Sequence, residues 1–103
     1  MSYCMILVTC SDESGAGKLA SDLVENRLAA CVQIHSVTSI YSWENQVHRD
    51  PEFRLMIKTR SSLYRDVEAF IIERHSYEVP QIIQVPVESG LTAYLNWIDD
   101  NTK

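Results

Sequence analysis

Imidazole and thiol groups, the side chains best suited to a borderline or soft metal, are few in this chain. They are His35, His48 and His75, and Cys4, Cys10 and Cys31. His75 lies in "ERHSYEVPQIIQVPV", residues 73 to 87. An imidazole suits a borderline metal such as Cu(II) or Zn. A metal centre needs three or four donors, however, and neither His35 nor His48 stands at a ligand spacing from His75. Arg74 beside it repels a cation. The other reading is a charged histidine in the last helical turn, stabilised by the helix dipole by about 0.3–1 kcal/mol. On that reading His75→Ala costs little stability. Cys31, in "LAAC", offers a soft thiolate for Cu(I), or, among Ala29, Ala30 and Val32, an inert buried thiol. Cys10 leaves the first apolar run just before a helix start. That position lowers a thiol pKa and makes Cys10 the reactive-thiol candidate. His75, Cys10 and Cys31 are therefore the candidate metal donors.

A second set suits a ligand cleft or an interface: Trp43, Lys58, Tyr77 and Glu78. Trp43 and Tyr77, with Tyr41, offer rigid apolar area and a polar tip. Lys58 and Arg60 either hold an anion, lie solvated on a strand face, or pair with Glu44 or Glu78 across subunits. No G-x-S-x-G, H-E-x-x-H or C-x-x-C occurs. "SDESGAG" lacks the Gly-Lys-Ser/Thr ending of a phosphate loop. A non-catalytic protein is expected.

The 103 residues suit a single domain, 1–103, and 46% hydrophobic residues supply a core. The net charge of −5 argues against a sequence-blind nucleic-acid binder or a membrane-surface protein. No apolar run approaches the roughly 20 residues of a spanning helix. The N-terminal "MSYCMILVTC" lacks a basic leader region, so a cytoplasmic location is expected. Three cysteines, an odd number, fit reduced thiols. Cys4 and Cys10, six residues apart on one strand, lie roughly 20 Å apart and cannot bridge.

The elements that must position these groups follow from periodicity. "YCMILVTC", 3–10, is a nearly continuous apolar run, which predicts an inner strand covered on both faces. Ser11, Asp12 and Ser14 are candidate caps for a helix whose stripe is Ala16, Leu19, Ala20, Leu23, Val24 and Leu28. Ala30, Val32 and Ile34 alternate as a strand. The alternation shifts before Ile40, which predicts a bulge near Ser36. "ENQVHRDPE" reads as a hairpin tip and "FRLMIKTR", 53–60, as the returning strand. Ser61 and Ser62 are placed to cap a second helix along Leu63, Val67, Phe70 and Ile71. Pro80 is expected to stop that helix. "QIIQVPV" is a fourth strand, and Leu91, Tyr94, Leu95 and Ile98 line a terminal helix. The order predicts an α+β, ferredoxin-like split βαβ fold.

One feature exceeds a lone monomer. The segments from Ala30 to Arg60 allow strands of about 50 Å, against a radius of gyration near 13 Å for a compact chain of this length. Such a hairpin bends over its own sheet or projects. Its Ile40, Tyr41, Trp43 and Val47 need a partner if it projects. A homo-oligomer built on this ribbon is expected.

"ENRLAACVQI", "SIYSWENQV", "LMIKTR", "HSYEVPQIIQVPV" and "YLNWI" together resemble, in order and spacing, the CutA family of divalent-cation tolerance proteins. The resemblance spans Thr9 to Ile98. It implies a ferredoxin-like subunit with a long β2–β3 hairpin and a homotrimer similar to the PII signalling proteins. It also implies a cytoplasmic role in tolerance of copper and other divalent metal ions. The family's corner reads His-Pro-Tyr-Glu, where this chain has His75-Ser76-Tyr77-Glu78. Members with a copper site carry a first-strand cysteine and a His-His pair. Here Val8 holds the cysteine position, Cys10 follows two residues later, and the pair is Arg74-His75. A second implied reading is a PII-like trimer that binds a small anionic ligand between subunits.

Overall fold

The computed structural model describes every residue from Met1 to Lys103. The elements are β1 (Tyr3–Cys10), α1 (Glu13–Glu25), β2 (Cys31–Trp43), β3 (Gln46–Arg60), α2 (Tyr64–Arg74), β4 (Ile82–Val87) and α3 (Thr92–Asp100). All strand pairs are antiparallel, in the order β2-β3-β1-β4. This is the expected ferredoxin-like α+β arrangement.

Strand alternation divides the sheet into two faces. Cys4, Ile6, Val8, Leu55 and Ile57 turn to one side and pack with Ala16, Leu19, Ala20 and Leu23 of α1 and Val67 and Ile71 of α2. Met5 and Leu7 turn to the other side and are only half-buried. β1 is an inner strand, as its apolar run suggested, flanked by β3 and β4, and its second face is half-buried in the single chain. α3 closes part of the second face. Tyr3 donates to Asp99 at 2.6 Å, and the Arg60 Nε–H donates to Thr102 Oγ1 at 2.9 Å. On the same face Met56 is half-buried and Ile83 is exposed.

Asp12 is the α1 cap, accepting from the Gly15 N–H. Val24, on the expected stripe, lies outside the core and is exposed. Neither Ser61 nor Ser62 caps α2. They form a short 3-10 turn, Ser61–Leu63, that leads into it.

The β2–β3 hairpin departs most from expectation. Its register runs without interruption from Trp43↔Gln46 to Cys31↔Lys58, so there is no bulge at Ser36, which pairs in line with Phe53. The loss of alternation between Ile34 and Ile40 had suggested a slip, and it arises because this part of the ribbon projects with residues of both faces exposed. The tip is only Glu44–Asn45, both with positive φ (51° and 63°), the signature of a type I′ turn. Gln46 to Glu52, read as tip from the sequence, belong to β3. Pro51 is tolerated because alternate counting from the turn puts Thr38↔Pro51 at a non-hydrogen-bonded pair. Its missing N–H then faces away from β2, and β1 pairs only as far as Phe53. The ribbon from Val37 to Glu52 projects, giving the molecule a 45 Å long axis against 25 and 22 Å.

The buried Thr59 ties β3 to the end of the α1 connection by donating to the Leu28 carbonyl at 2.7 Å. Thr59→Val keeps the shape but strands that carbonyl. Urea unfolding is expected to show a loss of about 1–2 kcal/mol. No change in the midpoint would mean that the bond contributes nothing net.

Candidate functional site

The projecting ribbon and the segment after α2 enclose the main concavity. α2 ends at Arg74, well before Pro80, because His75 turns to extended geometry (φ −82°, ψ 143°) while its N–H still donates to the Ile71 carbonyl. His75 is thus the helix cap residue and not part of the last turn. Its ring fixes the corner. Nδ1 accepts from the Tyr77 N–H at 3.1 Å, and Nε2 lies 2.7 Å from the Thr9 carbonyl. An acceptor on one side and a carbonyl on the other require the neutral tautomer with its proton on Nε2. The second sequence reading, a charged histidine at the helix end, gives way to this neutral one. Both ring nitrogens are occupied. The positive charge at the helix end comes from Arg74, whose guanidinium stacks 3.5 Å from the Phe70 ring centre.

The corner aims Tyr77 back at the hairpin. Its hydroxyl donates to Glu52 at 2.7 Å, and burial, followed by Glu52, pushes the phenol well above its ordinary range. Tyr41 repeats the arrangement one step out. Its hydroxyl donates to Asp50, which raises its pKa, and its ring stacks on His48 at 5.4 Å. Trp43, Tyr41, Tyr77, Glu52 and Glu78 line an open cleft of about 630 Å³. Three of the four expected cleft residues, Trp43, Tyr77 and Glu78, thus come together. Lys58 does not join them. It sits at the other end of β3, with Nζ 5.7 Å from the Tyr94 ring centre.

Cys31 stands apart from the other two candidate metal donors, while His75 bonds the Thr9 carbonyl beside Cys10. Cys10 pairs with Phe53 and Cys31 with Lys58, five residues or roughly 16 Å apart along β3. Cys10 is 7% exposed, and burial, then Asp12 and Glu52, push its thiol up. The lowered pKa expected from the following helix is overturned, because burial and two carboxylates outweigh the dipole. Cys31 is half-buried and free. No three His, Cys, Asp or Glu side chains gather in the chain. The donors as arranged do not fit a metal within one subunit.

Glu52 escaped the sequence reading. A lone charge after Pro51 looks like a solvated tip, and only the register shows that it shares a face with Tyr41. The Thr9 carbonyl is a backbone group and leaves no trace in the sequence.

Residues 4–101 match the family described as CutA1 divalent ion tolerance protein. "Protein CutA" of Mus musculus is 44% identical over 97 residues, 93% of this chain and 55% of that protein. The chain thus spans about half the length of that relative. "Divalent-cation tolerance protein CutA" of Thermus thermophilus is 38% identical over 99 residues, 95% of this chain and 96% of that protein. The crystal structure of CutA1 from Oryza sativa superposes with a TM-score of 0.97 at 34% identity, covering 100% of this chain and 95% of that one. No helix is long and apolar enough to cross a membrane.

Two outcomes follow from the corner. His75→Ala strands the Thr9 carbonyl and the Tyr77 N–H. In place of the small effect expected from the sequence, denaturant titration should show a loss of about 1–2 kcal/mol. Unchanged stability would make the ring dispensable. The raised phenol of Tyr77 contributes stability that is complete below about pH 10, the unfolded value, and is lost as pH rises toward its folded pKa. Tyr77→Phe should therefore flatten the decline of melting temperature above pH 10. An identical alkaline decline in the variant would clear Tyr77 of that role.

Proposed function

Because the chain belongs to the CutA1 divalent ion tolerance family, we propose that it acts in divalent-cation tolerance as a cytoplasmic, non-catalytic homotrimer that binds metal ions, copper among them. The observation that carries the reading is the agreement of family match and fold over nearly the whole chain, with the projecting hairpin intact.

Assembly is supported by what the single chain leaves uncovered. Ile40 is 63% and Val47 80% exposed on the ribbon, and Tyr41 and Trp43 are each 41% exposed. The second sheet face holds Met5, Leu7, Met56 and Ile83, with a buried Arg54 Nε that has no partner. Apolar area and an orphan donor on one face both favour a neighbouring subunit. A PII-like architecture is consistent with this.

Metal binding needs donors that the folded chain leaves free. His75 has both nitrogens engaged, and the Cys10 thiol is buried and its ionisation suppressed. Cys31 is the half-exposed thiol, and a thiolate is the soft donor that Cu(I) prefers. Copper held by Cys31, with further donors from neighbouring subunits, is the version these facts support.

The test is copper titration of the reduced protein by calorimetry, with mass measured by light scattering on the same samples. A mass near three chains is expected. Copper binding should be lost in Cys31→Ser and kept in His75→Ala. Loss in His75→Ala with Cys31→Ser unaffected would move the metal to the corner. A monomer without copper binding would overturn the reading.

A further inference from the structure

Two groups of opposite charge go unmatched on the helix-free face of β3. Glu52 is 9% exposed, and the hydrogen bond to its carboxylate comes from the neutral Tyr77 hydroxyl. Arg54 is half-buried, with its Nε enclosed and without a hydrogen-bond partner. The two are alternate residues of one strand, roughly 7 Å apart along it, and project to the same side. They do not pair with each other: the chain's ion pairs are Lys18 with Asp22 and Arg74 with Glu73. An enclosed charge and an enclosed N–H without partners are both costly. The other cations of this strand face are engaged within the chain. Lys58 lies over the Tyr94 ring, and Arg60 donates to Thr102 Oγ1.

The cleft under the ribbon has the composition that Arg54 lacks. Glu52 and Glu78 are its charged residues, and no lysine, arginine or histidine of the same chain lines it. Tyr41, Trp43 and Tyr77 add ring faces. A guanidinium suits both features. Its planar fork bonds a carboxylate through two parallel N–H groups, and its flat face stacks on an aromatic ring. The cleft opens along the ribbon that carries the exposed Ile40 and Val47. A chain that covers those side chains also covers the cleft, so the cation that fills it comes from the covering chain.

We infer that in the assembled protein the neighbouring subunit's Arg54 enters this cleft and pairs with Glu52, with Glu78 as the second carboxylate. The pairing rests on the proposed homotrimer and supplies its recognition contact. Arginine and cleft are different patches, so the contact runs head to tail. Each chain gives its arginine to one neighbour and its glutamates to the other, and a closed ring leaves neither unmatched. Tyr77 is a positioning residue: its hydroxyl fixes the carboxylate that the arginine meets, and His75 fixes Tyr77.

Light scattering over a dilution series measures dissociation of the trimer, with circular dichroism to check the fold. Arg54→Glu should raise the concentration at which the trimer dissociates by at least about tenfold, because it sets a further carboxylate against Glu52 and Glu78. Glu52→Arg should do the same. A chain carrying both reversals should recover most of the loss, since the pair is restored with its charges exchanged. Glu78→Arg takes the place of Glu52→Arg in this scheme should loss of the Tyr77 contact unfold the corner. Arg54→Lys keeps the charge and makes the contact open to carbodiimide coupling. In a mixture of isotopically light and heavy chains, the amide formed with Glu52 should join light peptides to heavy ones. A trimeric wild type whose dissociation is unchanged by Arg54→Glu, a double reversal no better than the single ones, or amides confined to one chain would overturn the pairing and leave the trimer standing. A monomeric wild type would overturn both.

Discussion

A two-residue turn with both residues in left-handed geometry fixes one register for the whole β2–β3 hairpin, and most of the molecule follows from it. Asn45 adopts left-handed geometry readily, so the conformational cost of the turn falls mainly on Glu44. Thirteen successive pairs then lock in line. Because β1 reaches only to Phe53, the same register decides where the sheet ends and a bare ribbon begins. It places Pro51 where its missing N–H does no harm. It also puts Tyr41, Asp50 and Glu52 on one face, opposite the segment that follows α2. A slip by one residue would turn that face over and bury the wrong half of β3.

The corner at His75 is the second fixed point, and it depends on the first. The imidazole spans from the Thr9 carbonyl to the Tyr77 N–H, joining two parts of the chain 66 residues apart. Tyr77 then reaches Glu52 on a strand whose position the turn has set. The two tyrosines, 41 and 77, each donate to a carboxylate of β3. Their hydroxyls are drawn toward staying protonated by the very groups they serve. The result is a pair of carboxylates on one face of β3, each held by a neutral phenol.

The order of elements was legible because each carried its own period. The α1 stripe at Ala16, Leu19, Ala20 and Leu23, the strand alternation through Leu55 and Ile57, and the α2 stripe at Val67 and Ile71 all reached the core. Local pattern failed where a long-range contact decided the outcome. Cys10 was read from the helix that follows it, yet its thiol responds to burial and to Glu52, 42 positions away. His75 was read from the helix that precedes it, yet it answers to Thr9. Pro80 was credited with ending α2, although the cap forms at His75 through bonds that no local rule anticipates. The false bulge at Ser36 had a different origin. Alternation presupposes one dry and one wet face, and the ribbon beyond Phe53 has neither.

The tension between a divalent-cation tolerance family and a chain without an internal metal centre resolves on chemical grounds. The imidazole at the cleft is committed to two backbone groups, Glu52 to a phenol, and Cys10 to the core. A metal taken up there would have to displace bonds that hold the corner closed, so its binding energy would be spent against the fold. Cys31 holds no such bond, since its thiol is free and half-exposed. On the proposed reading, the rigid corner therefore leaves soft-metal ligation to Cys31 and to the donors that neighbouring subunits bring.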